Sequence, residues 1–431
     1  MKALHISTMS GGGAGKSALR LHRGFRSIGV ESKMLVLHRN SSDNDIARLK
    51  KDYSIFSIVY NGLSRRLISL KVFTHKNTRQ KGMDIFTDCR SPYAVSKNLL
   101  VQEADIIHLH WIATMVDHSE FFSNNKNKAI VWTLHDNNPF TGGCHVAGDC
   151  RKCESGCGAC PQLGSTDPDD LSKKIFKRKE EACKGCNIHI VAPSKYLADF
   201  AKKSLLFKEF SINVIPNGVS TSVFTERNKK YSRDLLNLPQ DKTLLLCGAD
   251  YSSENKGFKY LAQALKLLKN EKSAALVLFG KYNKALFKDV GVPVYHLGYI
   301  YKEELLSHVY SAADMCVMPS LADSFGNVIL ESMACGTPVV GFNAGGIPEL
   351  IKSQKTGLLA KVRDAQDLAE KIEWMMHHPA ERQQMGDAAR KLVEQEYTMQ
   401  IQARRYLKLY EAIPASSFNG GSIVGGADGK F

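Results

Sequence analysis

Two carboxylates, Asp323 and Glu331, stand with seven residues between them in the stretch Ser320 to Glu349, S-L-A-D-S-F-G-N-V-I-L-E-S-M-A-C-G-T-P-V-V-G-F-N-A-G-G-I-P-E. Met315 to Met318 reads as an apolar strand that runs into Pro319 and a polar turn. A helical run from Asn327 to Cys335 follows and stops at Gly336, where a residue without Cβ suits a helix C-terminus. A second strand, Pro338 to Phe342, makes this a βαβ unit. The turn from Asp323 to Asn327 therefore falls at the carboxyl end of a parallel strand, where open α/β sheets bind their ligands. Amides at that helix start attract anions, and Glu331 lies four residues further along the same face. One face can thus hold a phosphate near the amides and a hydroxyl near the carboxylate, which suits a nucleotide-diphosphate sugar.

Three further groups of residues could do chemistry. Residues 2–8 read as a strand, followed by Ser10-Gly11-Gly12-Gly13-Ala14-Gly15-Lys16-Ser17 and a helical pattern, an order that commonly cradles phosphate. The loop is not a Walker A motif, because G-x-x-x-x-G-K-[ST] ending at Gly15-Lys16-Ser17 requires glycine where Ser10 stands. The strand Ala129 to Leu134 ends in His135-Asp136, again at the ligand-binding end of a sheet. Last comes a cysteine segment, Cys144, His145, Cys150, Cys153, Cys157 and Cys160, with Cys183 and Cys186 beyond it. Cys150-x-x-Cys153 and Cys157-x-x-Cys160 each have the spacing with which a tight turn brings two thiolates to one tetrahedral ion. The first residues, Met1 to Ile6, read as a strand and not as a secretion signal, so eleven cysteines point to metal before disulfides.

Taken together, the acidic pair, the Phe325-Gly326 turn, Cys335-Gly336-Thr337-Pro338-Val339-Val340 and Gly345-Gly346-Ile347-Pro348-Glu349 resemble the retaining glycosyltransferases of family 4. That signature has two acidic residues separated by seven others. The chain departs from it at Asp323, where the family usually has Glu, and at Ser332, where Ala is common. The resemblance extends to about residue 413 and implies an α/β fold of GT-B architecture, two Rossmann-like doubly wound domains facing a cleft. The implied reaction moves a hexose from a nucleotide-diphosphate sugar donor to a saccharide or lipid-linked acceptor, with retention of configuration. On the same resemblance Gly12, Gly13 and Lys16 lie over the donor diphosphate or the acceptor. Thr133-Leu134-His135-Asp136 matches a T-x-H-D motif whose His approaches the donor sugar. Lys256, in Asn255-Lys256-Gly257, matches a cation serving the diphosphate, while Ala249 stands where an Arg is typical. The donor site would take in Phe325, Gly326, Asn327 and Val328, with the amides of Gly326 and Asn327 supporting the leaving diphosphate. Glu331 would hold the ribose hydroxyls, Asp323 would contact the transferred sugar and His135 would steady it. A saccharide-assembling subset with T-G-G-C-H, a later Cys and C-x-x-C-P selects Cys144, Cys150, Cys157 and Cys160 as ligands of a structural zinc, leaving Cys153 as the alternative. It also suggests a place in polysaccharide or lipopolysaccharide assembly. No cofactor is expected in catalysis.

The elements that must position these residues fall into two sets. Strands at Lys33–Leu37, Asp105–His110, Ala129–Leu134, Ile188–Val191 and Ile212–Ile215 give a first doubly wound domain over 1–213, carrying the cysteine segment 144–160. A polar linker, Ser220 to Leu238, leads into strands Thr243–Cys247, Ala274–Phe279 and Val294–Leu297 of a second domain over 214–397. Residues 398–413 are expected to form a helix crossing back onto the first domain, and 414–431, rich in Gly, Ser and Ala, to be disordered.

A formal net charge of +15 favours an anionic partner. With no apolar run long enough to span a bilayer, a cytoplasmic protein is expected, peripheral at the inner face of the plasma membrane if its acceptor is lipid-linked. Just upstream of and among Arg65, Arg66, Lys71, Lys76, Arg79 and Lys81, the apolar Ile55, Ile58, Val59, Leu63, Leu67 and Leu70 recur at three- and four-residue steps, a pattern for docking on an anionic membrane surface. Two rivals compete. A metal-dependent D-x-D transferase would use Asp43-Asn44-Asp45 or Asp167-Pro168-Asp169, but neither directly ends an apolar strand. A basic nucleic-acid-binding protein with a zinc knuckle would interleave aromatics for base stacking, and the first cysteine cluster has few, so no nucleic acid is expected.

Overall fold

The computed structural model describes residues 1–39, 43–49, 83–248, 253–268 and 273–414. The first sheet contains β1 (Lys2–Met9), β2 (Glu31–His38), β3 (Ile46–Arg48), β4 (Ile106–Leu109), β5 (Ala129–Thr133), β6 (Ile188–Ala192) and β7 (Ile212–Val214). All neighbours are parallel, in the order β3-β2-β1-β4-β5-β6-β7. The second contains β8 (Thr243–Gly248), β9 (Ala274–Phe279), β10 (Val294–His296), β11 (Met315–Met318), β12 (Val339–Phe342) and β13 (Gly357–Ala360), also parallel, in the order β10-β9-β8-β11-β12-β13. Helices cover both faces, so strand residues are buried on either side and read as continuous apolar runs. In β8, Leu245 and Cys247 enter one core while Leu244 and Leu246 enter the other.

Strand order reverses between β1 and β4 and between β8 and β11, and each reversal opens a crevice at the carboxyl ends of the strands. The two crevices face each other across the domain boundary, the GT-B arrangement. The short strands β3 and β13 have no counterpart in the sequence reading, being too brief for an alternation to stand out. The stretch Ser220 to Leu238 is not the plain linker its polarity suggests. Phe224 is fully buried against Tyr310, and Lys229–Leu235 is a helix capped by Asn228, whose Arg233 donates to Asp314 at 2.7 Å. Two of its charges, Arg233 and Lys229, pair with Asp314 of the second domain, while Glu226, Lys230 and Asp234 face water.

The C-terminal helix Met399–Glu411 returns to the first domain, where Ala403, Tyr406 and Tyr410 pack with Ala3, Phe25, Ile106 and Val131. It comes close because Gly24 has no side chain; a Cβ there would sit 2.5 Å from the Met399 carbonyl oxygen. Beneath it lies a polar stripe on an otherwise apolar face. His5 of β1 is in register with His108 of β4, and His108 bonds Tyr410 Oη at 2.5 Å and Thr133 Oγ1 at 2.7 Å. Burial holds His5 and His108 well below the ordinary histidine pKa.

The domains are fastened by Arg20, on the helix Gly12–Ser27 of the first, which donates from Nη2 to Glu331 (2.7 Å) and Glu303 (2.6 Å) of the second. Burial would weaken the guanidinium charge, but the two carboxylates outweigh it and raise its pKa. A second fastening is Glu349, which accepts from the amides of Lys195 (2.8 Å) and Tyr196 (2.9 Å) at the start of the helix Lys195–Lys203. No helix among the described residues is long and apolar enough to cross a membrane. The basic and apolar stretch from Ile55 to Lys81, and the tail beyond Pro414, lie outside the described residues.

Unfolding measurements can check both the clamp and the buried histidines. Arg20→Met leaves the buried Glu331 charge uncompensated and should cost about 3–5 kcal/mol in urea unfolding, much of it recovered in the double variant Arg20→Met/Glu331→Leu. Equal losses in single and double variants would mean that this pair is not the source. The buried imidazoles set an acid limit. Burial lowers His5, His108 and His110, and takes His22, His118 and His135 to about 4, 3 and 4. The unfolded chain takes up protons near 6.5 that the folded chain refuses, so stability should fall between pH 6.5 and 4, by up to about 1.4 kcal/mol per pH unit per histidine. An unfolding midpoint equal at pH 7.5 and pH 5 would contradict this.

Candidate functional site

A cavity of about 290 Å³ lies between the facing crevices. The first domain contributes Gly13 and Ala14 after β1, His135 after β5 and Pro193 after β6. The second contributes Gly248 at the end of β8, Lys256, Met318 at the end of β11 and the turn Asp323 to Val328, with Asn217 at the crossing between domains. Of the residues expected at the site, Gly13, His135, Lys256, Asp323, Phe325, Gly326, Asn327 and Val328 come together here. Gly12, Lys16 and Glu331 do not line the cavity.

Lys256 Nζ and Asp323 Oδ2 are 3.1 Å apart. Lys256 ends a tight turn, Glu254–Lys256, that is pressed against the exit of β11: a Cβ on Gly257 (φ +67°) would meet the Pro319 carbonyl oxygen at 1.8 Å. Asp323 Oδ1 accepts from the Phe325 amide at 3.2 Å, and the Asp323 backbone packs on Gly345, where a Cβ would come within 2.4 Å of its carbonyl oxygen. The glycines of the G-G-I-P-E motif thus let the two turns touch. Attraction to Asp323 raises the Lys256 pKa in spite of burial, so the lysine is a fixed cation. Beside it the helix Asn327–Ala334 starts from Gly326 in the left-handed region (φ +102°), presenting its positive end to the cavity.

Asn327 joins the parts. Its Nδ2 donates to Ser17 Oγ (2.8 Å) and the Gly13 carbonyl (3.2 Å), and its Oδ1 accepts from Asn217 Nδ2 (3.1 Å). Ser194 Oγ donates to the Ser324 carbonyl at 2.6 Å. The resemblance gave Asn327 only its backbone amide, at the donor diphosphate, and gave Asn217 no role.

Glu331 departs from expectation. Its carboxylate does not face the cavity to meet ribose hydroxyls; Oε1 accepts from Arg20 and Oε2 from Tyr310 Oη at 2.8 Å, and the residue is 4% exposed. The second acidic residue of the signature serves the domain clamp in this structure. Lys16 lies on the same helix as Arg20, near enough to Glu303 to help hold that carboxyl below the usual range behind the larger effect of Arg20.

His135 turns Nε2 to His110 Nδ1, at 3.0 Å. Asp136 is half-buried and accepts from Trp111 Nε1 (2.8 Å) and the His145 imidazole (2.6 Å). Burial favours its neutral form, but His145 and these hydrogen bonds hold its pKa below the ordinary value. His110 was missed. The signal was there in His108-Leu109-His110, since residues two apart in a strand share a face.

The cysteines Cys144, Cys150, Cys153, Cys157 and Cys160 line one small cavity of about 20 Å³ in the first domain. All are free, and Cys157 itself is left-handed (φ +62°) between positive-φ Gly156 and Gly158, with Sγ accepting from the Gly142 amide at 3.2 Å. Among the described residues no three of these sulfurs lie within 4.8 Å of one another. Of the D-x-D candidates, Asp45 pairs with Arg26 at 2.5 Å and Asp43 with Arg23 at 3.8 Å, while Asp167 and Asp169 are exposed; none lines the interdomain cavity.

Comparison with known proteins bears on the family and the fold. Residues 11–223 match the model described as Glycosyltransferase Family 4, and residues 228–392 the one described as Glycosyl transferases group 1. A curated relative, the D-inositol 3-phosphate glycosyltransferase of Arthrobacter sp. (strain FB24), is 35% identical over 190 residues, 41% of this chain and 45% of that protein. The match thus spans about half the length of that relative. Among solved structures, sucrose-phosphate synthase from Thermosynechococcus elongatus superimposes with a TM-score of 0.65 at 19% identity, covering 95% of this chain and 98% of that one. The Anabaena protein HepE, solved with UDP and glucose, gives 0.64 at 16% identity, covering 96% and 100%. These likenesses show the fold. With the two family models meeting end to end over both domains, the chain belongs to the family 4 glycosyltransferases of GT-B fold.

Proposed function

We propose that the protein moves a hexose from a nucleotide-diphosphate sugar to a saccharide or lipid-linked saccharide, with retention of configuration, in polysaccharide or lipopolysaccharide assembly. The observation that carries this reading is the Lys256–Asp323 pair on the wall of the interdomain cavity, beside a helix N-terminus and opposite His135. An entering diphosphate is the natural partner for Lys256 and the helix end, and on taking the lysine it frees Asp323 beside the sugar. As the bond from the anomeric carbon to the diphosphate oxygen breaks, negative charge grows on that oxygen and positive charge on the ring. Lys256 stabilises the first and Asp323 the second. The acceptor hydroxyl then bonds to the anomeric carbon from the face the diphosphate leaves, its proton passing to the departing phosphate oxygen. His135 steadies the sugar from the other domain. Ribose contacts are not assigned to Glu331, whose oxygens hold Arg20 and Tyr310. A lipid-linked acceptor would bring the protein to the cytoplasmic face of a membrane, where a net charge of +15 is favourable.

No metal is given a part in the chemistry. The cysteine segment is read as one structural zinc site, because five thiols ring a single cavity and the left-handed turn at Cys157 resembles the knuckle that presents paired sulfurs. Cys144, Cys150, Cys157 and Cys160, with Cys153 as the alternative, are the thiols that would hold the ion. Binding must also remove thiol protons, since burial pushes Cys144, Cys153 and Cys157 up to about 12.

Kinetics test the site. Lys256→Ala should lower kcat by about 10²–10³-fold with a smaller change in donor KM, since charge on the phosphate grows only in the transition state. Wild-type turnover in both Lys256→Ala and Asp323→Asn would remove the site from the reaction. For the metal, elemental analysis should find about one zinc per chain, and chelation should lower the melting temperature. Metal-free protein of unchanged stability would leave only buried thiols.

A further inference from the structure

The imidazole at the cavity wall ends a chain of three. His135 Nε2 meets His110 Nδ1 at 3.0 Å, and His110 Nε2 meets His5 Nδ1 at 2.9 Å. Beyond that the chain stops: His5 Nε2 is buried and has no partner, and the neighbouring His22 ring, 6.0 Å away between centroids, makes no hydrogen bond to it. His108 stacks on His110 at 4.2 Å but stands outside the chain, with both nitrogens taken by Tyr410 and Thr133. His5, His108 and His110 do bring ring nitrogens within 4.8 Å of one another. A metal there would have to displace the hydrogen bonds already made among them and to Thr133 and Tyr410, so the cluster is a hydrogen-bonded array.

Each link between two imidazoles needs one proton, supplied by one ring and accepted by the other. Burial keeps all three rings neutral, with His135 lowered to about 4. Neutral rings carry one proton each, so only two arrangements satisfy both links. In one, every proton is on Nδ1 and His5 ends the chain with a bare lone pair. In the other, every proton is on Nε2 and His5 ends it with a buried N–H that has no acceptor. Orphaned buried N–H groups are the rarer and costlier kind, whereas an unfilled acceptor is better tolerated. The closed end of the chain therefore selects the state of the open end.

We propose that His110, backed by His5, is a positioning residue that holds His135 in its Nδ1–H form, so that His135 meets the bound sugar as a hydrogen-bond donor and not as a base. The role toward sugar rests on the function proposed above; the protonation pattern does not. With Nε2 committed to His110, Nδ1 is the nitrogen left for the cavity that His135 lines. A sugar hydroxyl or ring oxygen would then accept from it. The acceptor's proton is left to the departing phosphate, because a donor nitrogen cannot take it.

The test reads the tautomer directly. Protein labelled with ¹⁵N-histidine, in long-range ¹⁵N–¹H correlation spectra at pH 7.5 with signals assigned through His135→Gln and His110→Gln, should show His135 and His110 protonated at Nδ1. His135 protonated at Nε2 in the unaltered protein would overturn the proposal. His110→Leu removes the donor to His135 Nε2, so the His135 tautomers should mix and kcat should fall about tenfold, the worth of one neutral hydrogen bond, with less change in donor KM. His110→Gln, whose amide can both donate and accept, should rescue most of the loss. An unchanged tautomer and turnover in His110→Leu would also overturn it, and if that variant does not fold, the spectrum of the unaltered protein decides alone. Absence of sugar transfer with an Nδ1–H pattern would instead count against the function and leave the chain of imidazoles standing.

Discussion

The closed arrangement depends on one buried guanidinium. Arg20 carries its charge from the helix after the glycine loop across the domain boundary to Glu331 and Glu303, and it is almost wholly removed from water. Such a charge is tolerable only while its partners stay in place, since desolvation costs several kcal/mol per ion and only close opposite charges offset it. In this arrangement the guanidinium is paired with both carboxylates across the domain boundary. The cavity, the Asn327 bridge to the glycine loop and the Glu349 cap on the first domain's helix cross the same boundary.

Around that constraint the polar groups are distributed by sheet topology. The residues that line the cavity come from the carboxyl end of a strand or from the turn or helix start that follows it, because parallel sheets leave those ends open while their faces are covered. One exception runs inward. The stripe of His5, His108, His110 and Thr133 lies on a covered face, roofed by Tyr406 and Tyr410 of the C-terminal helix. The helix that straps the second domain back to the first is thus also the lid over the histidines that position His135.

Much of this was legible in the chain. The apolar runs of the second sheet and the turn at Asp323 are local patterns, each set by residues within one βαβ unit, and local patterns survive into structure, whereas Lys256 stands out only by its match to a family motif. What the chain hid is long-range. Glu331 reads as a ligand-facing carboxylate because no residue beside it in sequence occupies it; its partners, Arg20 and Tyr310, are 311 and 21 residues away. Ser220 to Leu238 reads as linker because its charges look solvated, whereas Arg233 is buried against Asp314, 81 residues on. His110 was visible as an alternating pair with His108, yet its bond to His135 depends on the neighbour relation of β4 and β5. The cysteines were legible as a cluster, and five of them do ring one cavity.

Calorimetric titration of the protein with nucleoside diphosphates and their sugars, repeated on Lys256→Ala, is the most direct test of the cavity as a donor site. Saturable binding of a nucleoside diphosphate that weakens by about tenfold or more when the lysine is lost is expected, since a charge-assisted contact to phosphate is worth about 1.5–3 kcal/mol. No binding of any nucleoside diphosphate, or binding that the lysine does not affect, would contradict it.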